Sequence, residues 1–211
     1  MHTWLDHLVV VAQTLEIGKD YIRQLLGVEM QAGGIHERMA THNCLLRLGD
    51  SCYLEVLAPL PDGVPTMPRW FVLDQLGDAP PHLATWVART DDIHAAVQAY
   101  PTAGTVQPMS RNQFHWLITL AEPHTMPADG ILPALIQWQT PNHPPHHLPD
   151  AGCRLLKLDL FHAEADMIHA QLQALHLTAD VHVHTIDPRR NPHLIATINT
   201  PTGIKQLTSQ M

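Results

Sequence analysis

One order of elements returns along this chain, and it constrains the fold more than any single motif. Leu5 to Ala12 (LDHLVVVA) is apolar and β-branched and reads as a strand. Thr14 then stands where a helix N-cap belongs, Ile17, Tyr21, Ile22 and Leu25 recur at helical spacing, and Gly27 takes the C-terminal glycine position. After a Gly33-Gly34 turn, His42 to Leu48 and Cys52 to Ala58 read as strands joined through Gly49-Asp50. The order is strand, helix, short strand, strand, strand. It begins again at Leu83 to Arg89, where Asp91 or Asp92 caps a helix carrying Ile93, Ala96, Val97 and Tyr100. Strands follow at Thr105 to Gln107, Phe114 to Leu120 and Leu132 to Trp138. A weaker third pass has a strand at Arg154 to Phe161, a helix near Glu164 to Leu175, and strands at Val181 to Ile186, His193 to Asn199 and Ile204 to Leu207. The Pro- and His-rich stretch Pro141 to Pro149 resists both helix and central strand, and it separates the second pass from the third. The fold class expected is α+β. Tandem βαβββ modules fill residues 1–141, at about 1–60 and 80–141, and a third βαβββ-like module fills 150–211, within the same globular unit or beside it.

Composition narrows the partners. With 12 basic against 20 acidic residues the formal charge is −8, so the chain lacks the basic footprint that a phosphate backbone requires, and nucleic acid is not expected. The 17 histidines make that charge sensitive to mild acid. No apolar run approaches the ~20 residues that span a bilayer, so no membrane partner is expected and the location read is cytoplasmic. Cys44, Cys52 and Cys153 are scattered, which suits buried thiols in a reducing compartment better than a disulfide framework.

The stretches LDHLVV (Leu5 to Val10), GGIHERMATHNCLLRLGD (Gly33 to Asp50), YLEVLAP (Tyr53 to Pro59) and PRWFVLD (Pro68 to Asp74) carry a resemblance, supported by HLATWVART (His82 to Thr90) and LIQW (Leu135 to Trp138). On these the chain resembles glyoxalase-like domains, many of them bacterial, of the vicinal oxygen chelate superfamily, which includes glyoxalase I, extradiol dioxygenases and bleomycin-resistance proteins. The resemblance covers about the first 150 residues. It implies paired modules whose sheet curls into a cup around a divalent metal, with ligands from the first and last strands of each module. Carried over, these are His7 and Glu55 from module one and Gln137 from module two, where Leu83 leaves a gap that His42, His36 or His115 can fill. Imidazole and carboxylate suit Zn, Ni, Fe or Mn; a metal-free polar cavity is the alternative. Period-two alternation puts Leu5, His7, Val9 and Val11 on one strand face, and Tyr53, Glu55 and Leu57 on one face of another.

Around that pair, a two-residue turn at Gly49-Asp50 brings His42 to the face of Glu55, whereas a three-residue turn brings Asn43 and Leu45 there. Arg69 and Trp70 can clamp an anionic or carbonyl substrate, Arg111 is a further anion-binding candidate, and Trp86 and Trp116 line the cavity or fill the core. His143, His146 and His147 read as a flexible linker with no role beyond adventitious metal capture. The function implied is an enzyme of lyase, isomerase or dioxygenase type acting on a small oxygen-rich substrate. Glu55 serves as ligand or base, and His42 or Asn43 as orienting group. The alternative is a protein that only sequesters a small molecule. An open sheet edge also admits a homodimer.

Overall fold

The computed structural model describes residues 1–111, 113–141 and 143–209. Module one runs β1 (Thr3–Val11), α1 (Leu15–Leu26), β2 (Gln31–His36), β3 (Thr41–Arg47) and β4 (Tyr53–Pro59). Module two runs β5 (His82–Thr90), α2 (Ile93–Ala99), β6 (Thr105–Arg111), β7 (Phe114–Leu120) and β8 (Ala134–Trp138). The chain ends in β9 (Arg154–His162), α3 (Ala165–Ala174), β10 (Leu177–Thr178), β11 (Val181–Thr185), β12 (His193–Thr200) and β13 (Gly203–Thr208). The helices start and stop on the residues that the sequence offers. Thr14 accepts a hydrogen bond from the Ile17 amide, Gly27 ends α1 in the left-handed region at φ 73°, and Asp92 accepts from the Ala95 amide.

The two modules form one mixed sheet in the order β2-β3-β4-β1-β5-β8-β7-β6. In each module the last strand runs parallel to the first, and the antiparallel pairing of β1 with β5 joins the halves. The sheet curls until its edge strands meet. Arg38, just past β2, donates from Nη1 to the Pro108 carbonyl of β6 at 2.9 Å, and Arg111 of β6 reaches Asn43 of β3. The result is a half-barrel with a concave cup.

Two apolar clusters lie on either side of this sheet. On the convex side Leu5, Leu8 and Val10 pack with Ile22 and Leu26 of α1, Ile93 and Ala96 of α2, and the inward residues of the C-terminal unit, Leu158, Leu160, Leu194, Ala196 and Ile198. The cup has its own cluster, with Val9, Val11, Leu57, Val87, Trp70, Trp116 and Ile136. The C-terminal unit therefore covers the back of the sheet and leaves the cup open. Its element order is βα followed by four strands, the short β10 being additional to the βαβββ pattern, and its own sheet has the order β11-β9-β12-β13 with β11 parallel to β9, whereas β2 in module one pairs with β3. β10 adds to the main sheet beside Thr3 and Trp4 of β1. Cys44, Cys52 and Cys153 are unpaired, and no helix among the described residues is long and apolar enough to cross a membrane.

β1 departs from simple alternation. Leu5 pairs with Ala88 and His7 with Val87, so Asp6 is an extra residue bulged out of the ladder. Leu5 consequently points to the convex core with Leu8 and Val10, not into the cup with His7, Val9 and Val11 as strict alternation predicts. Replacing Thr14 by Ala removes the cap of α1 and is expected to cost about 1 kcal/mol, read as a lowered midpoint in chemical denaturation with an unchanged slope.

Candidate functional site

The bulge in β1 sets two titratable side chains beside each other. Asp6 is fully buried and accepts three N–H bonds, from His7 Nδ1 at 2.7 Å, His143 Nε2 at 2.8 Å and Trp138 Nε1 at 3.0 Å. With Nδ1 so engaged, the His7 ring turns its Nε2 toward Glu55 Oε2 at 3.5 Å, while its face stacks on Tyr53 at 4.5 Å between centroids. Glu55 lies in the centre of β4, and its Oε1 accepts a short hydrogen bond from the Asn43 carboxamide. Asn43 Oδ1 accepts from the Gly34 amide at 2.8 Å and from Arg111 Nη1 at 3.1 Å. The same Nη1 lies 3.3 Å from His36 Nε2, and the Nδ1 of His36 bonds Thr41.

The charges follow from these contacts. Burial opposes ionisation of Glu55, but His7 at hydrogen-bonding range, with help from His36 and Asn43, outweighs it and holds the carboxyl down at about 2. Burial likewise opposes charge on His7, and Asp6 and Glu55 together reverse that, raising the imidazole to about 9. Burial also works against Asp6, yet His143 and His7 keep it well below the usual carboxylate range. At neutral pH the row is therefore carboxylate, imidazolium, carboxylate. His36 goes the other way. Burial, aided by the Arg111 and His7 cations and opposed by Glu55, pushes it down to about 4, so the neutral ring can accept the Arg111 bond.

Gly33 and Gly34 make this arrangement possible. A Cβ on Gly33 would stand 2.0 Å from Asn43 Oδ1, and one on Gly34 would stand 2.7 Å from Arg111 Cδ. The pair occupies a bulge, since the β2–β3 register shifts between Ala32 and Ile35. Their missing side chains are the space through which Asn43 and Arg111 meet. Below them an inner chamber of about 30 Å³ is lined by His7, Glu55, Tyr53 and Asn43, and walled by Trp70, Trp116, Trp138 and Ile136. That volume takes about two water-sized groups. His36, Trp70, Arg111 and Trp116 also line an outer cleft of about 670 Å³, which fits a small molecule.

His7, Glu55, Asn43, Arg111, Trp70 and Trp116 thus come together at the cup. Five other candidates do not. The β3–β4 register sets Leu45 opposite Glu55 and Asn43 opposite Leu57, because the turn spans Leu48 to Cys52; His42 therefore shares the outward face of Cys44 and Leu46. Gln137 is spent on α2, accepting from the Ile93 amide at 2.9 Å and donating to the Asp91 carbonyl. Arg69 ties a loop, bonding Asp74 and the carbonyls of Ala40 and Gly63. Trp86 is fully buried in the convex core with its indole N–H on the Ile131 carbonyl. His115 is exposed. Sequence reasoning passed over Asp6, because alternation assigns it to the other face. It also dismissed His143 as linker, whereas His143 is buried against Asp6 and the signal for it lies only in the tertiary fold.

This donor set does not fit a resident divalent metal. Among the described residues no group of three or more His, Cys, Asp or Glu side chains is placed to hold one. Module two meets His7 with Val87 and lines the chamber with Ile136, both apolar. The Arg111 guanidinium occupies the free lone-pair side of Asn43. Zinc takes three or four protein donors from His, Cys, Asp and Glu, and here His7 and Glu55 are two.

Because the folded His7 stands above its ordinary 6.5, its contribution to stability is complete below about 6.5 and is lost as pH rises through about 9. Glu55 contributes above its ordinary 4.5, and this is lost as pH falls through about 2. NMR titration of the His7 ring is expected to show a midpoint near 9. Asp6→Asn should bring that midpoint down to the ordinary value or below it, since burial then works against one counter-charge fewer; an unmoved midpoint contradicts the charge assignment.

Comparison with known proteins bears on the whole chain. A family described as a glyoxalase-like domain matches residues 5–176. None of the curated proteins matches the sequence. Among solved structures, the chain is similar to a hypothetical protein from Staphylococcus aureus with a TM-score of 0.60 at 12% identity, over 99% of this chain and 85% of that one. A variant of Streptomyces coelicolor methylmalonyl-CoA epimerase in complex with 2-nitronate-propionyl-CoA gives 0.47 at 20% identity, over 64% and 94%. A hypothetical protein from Bacillus halodurans gives 0.45 at 13%, over 67% and 97%. The Staphylococcus aureus likeness is one of fold, and it extends over the C-terminal unit.

Proposed function

The chain belongs to the glyoxalase-like domain family, and from that premise we propose that it is an enzyme moving a proton at a carbon next to a carbonyl of a small oxygen-rich substrate. The observation that supports this reading is the buried Glu55 carboxylate facing the Nε2–H of an imidazolium whose other nitrogen is fixed by Asp6. A carboxylate and a cationic N–H donor in one narrow chamber are a base for carbon and an acid for oxygen.

The step balances within the site. Glu55 takes the proton from carbon, the electron pair moves to the carbonyl oxygen, and the resulting enediolate-like charge is met by the His7 Nε2–H. In the resting site Glu55 is a weak base because His7 holds it near 2. At 3.5 Å the pair is only loosely joined. When the Nε2–H turns to a substrate oxygen, Glu55 keeps only its bond from Asn43 and regains proton affinity. Return of the proton from Glu55 to the same carbon restores the substrate with its hydrogen exchanged; return to the neighbouring carbon, with His7 Nε2 giving its proton to the first oxygen and taking the hydroxyl proton from the second, is an isomerisation. Asn43 anchors the Glu55 carboxylate, and the dry walls of Trp116, Trp138 and Ile136 keep water from competing. No step needs a metal.

A sequestering protein is the second reading, favoured by the number of indoles around the cup, Trp70, Trp116 and Trp138. One experiment separates the two. A panel of small 2-hydroxy and 2-oxo carbonyl compounds is incubated with the protein in deuterated water, and exchange of the hydrogen next to the carbonyl is followed by NMR. Exchange of at least one member is expected, slowed about 100-fold in Glu55→Gln, as loss of general base catalysis dictates. Binding of panel members without exchange would establish sequestration and sink the enzyme.

A further inference from the structure

The outer cleft carries a charge that the proton-transfer reading does not use. Arg111 is half-buried at its floor, and Arg38 stands at its rim. Among the described residues neither has a carboxylate within ion-pairing distance. Arg38 spends its guanidinium on the Pro108 carbonyl and on the sulfurs of Met67 and Met109. Arg111 uses only Nη1, for Asn43 and His36, and its guanidinium carbon lies 5.9 Å over the Phe114 ring. Its Nε and second Nη make no hydrogen bond among the described residues. The one acid of the cleft lining is Glu37, which is exposed. A chain with formal charge −8 thus lines this cleft with two cations and one anion.

A partly desolvated guanidinium without an acidic partner is costly to hold, and a ligand anion relieves that cost. The free edge of Arg111 presents two parallel N–H donors, held in plane by Phe114 beneath and by the Nη1 bonds on the far side. That fork matches a planar carboxylate. Beside these polar groups the cleft presents apolar surface from Trp70, Trp116, Met39, Met109 and Pro108. We propose that the outer cleft binds the carboxylate of a small organic acid on the free edge of Arg111, with the flat remainder of the ligand against Trp70 and Trp116. This rests on the cup being a small-molecule site, and not on the chemistry at Glu55.

The test is a fluorescence titration of the full chain, since Trp70 and Trp116 line the cleft. Benzoate, its neutral analogue benzyl alcohol, and phenyl phosphate are compared at low and high salt. Benzoate is expected to saturate at a concentration roughly tenfold below benzyl alcohol, the advantage of a charge-assisted pair, and salt should narrow the gap. Arg111→Gln should abolish the preference. Arg111→Lys should lose most of it too, because an ammonium offers no planar fork. It is the decisive variant should the glutamine protein fail to give a native circular dichroism spectrum. Glu55→Gln should keep the preference, and benzoate binding by an unsubstituted protein that exchanges no member of the carbonyl panel faults the chemistry and not the cleft. Equal saturation by benzoate and benzyl alcohol overturns the proposal, as does a preference that survives in both Arg111 variants. Tighter binding of phenyl phosphate than of benzoate overturns the assignment to a planar carboxylate.

Discussion

The three N–H bonds to Asp6 are the interaction on which the site depends. Asp6 has no contact with water, and a carboxylate so placed persists only when its lone pairs are filled and a counter-charge is near. His7, His143 and Trp138 meet both needs. In return Asp6 fixes the His7 ring, and the ring in turn keeps Glu55 ionised in an apolar cup. Removing Asp6 would leave an imidazolium with a single loose partner at 3.5 Å, so the charge pattern would collapse from the bulge outward.

The two modules contribute unequally. Module one supplies the polar floor through His7, Asn43 and Glu55, whereas module two supplies mostly walls through Ile118, Ile136, Trp116 and Trp138. Arg111 is the exception, and it crosses the seam only because the sheet edges close on each other and Gly33-Gly34 leaves a passage. A pseudo-symmetric scaffold has thus become an asymmetric chamber, with acid–base groups on one side and dry surface on the other. The physical gain is that the charged groups face a medium of low polarisability, in which their effect on a bound oxygen is stronger than in water.

Much of this was legible in the sequence, for reasons that particular residues make plain. Thr14, Gly27 and Asp92 announce helix ends through local chemistry, and LDHLVV and YLEVLAP announce buried strands, so the tandem α+β order follows. His7 and Glu55 were singled out by the family resemblance, which implied them as metal ligands. What failed was parity. The bulge at Asp6 adds one residue to β1, and the turn from Leu48 to Cys52 fixes the β3 register. Each shifts side chains between faces by a count that no propensity encodes. Asp6 thereby enters the site, and of the two turn readings the three-residue one holds, which keeps Asn43 at the site and leaves His42 out. Gln137 and Arg69 were misplaced for a related reason. Both have the chemistry of a ligand-binding group, but backbone donors and acceptors nearer to them in the fold had the prior claim.

His143 carries that lesson into the architecture. It lies in the connection between the cup and the C-terminal unit, and its ring is clasped between Asp6 and Arg89, with Trp138 and Tyr53 against its faces and edge. The C-terminal unit is independently fastened to the same strand, through β10 beside Thr3 and Trp4 and through the shared convex core. β1 is therefore gripped from behind by the C-terminal unit and at its bulge by the segment that leads there. A bulge disrupts the ladder locally. Both attachments act against its loss, and a straightened β1 would return Asp6 to the convex core, whose cluster is apolar. On this argument the C-terminal unit belongs to the site although it contributes no residue to the cup: it holds the bulge in the one register that leaves His7 facing Glu55.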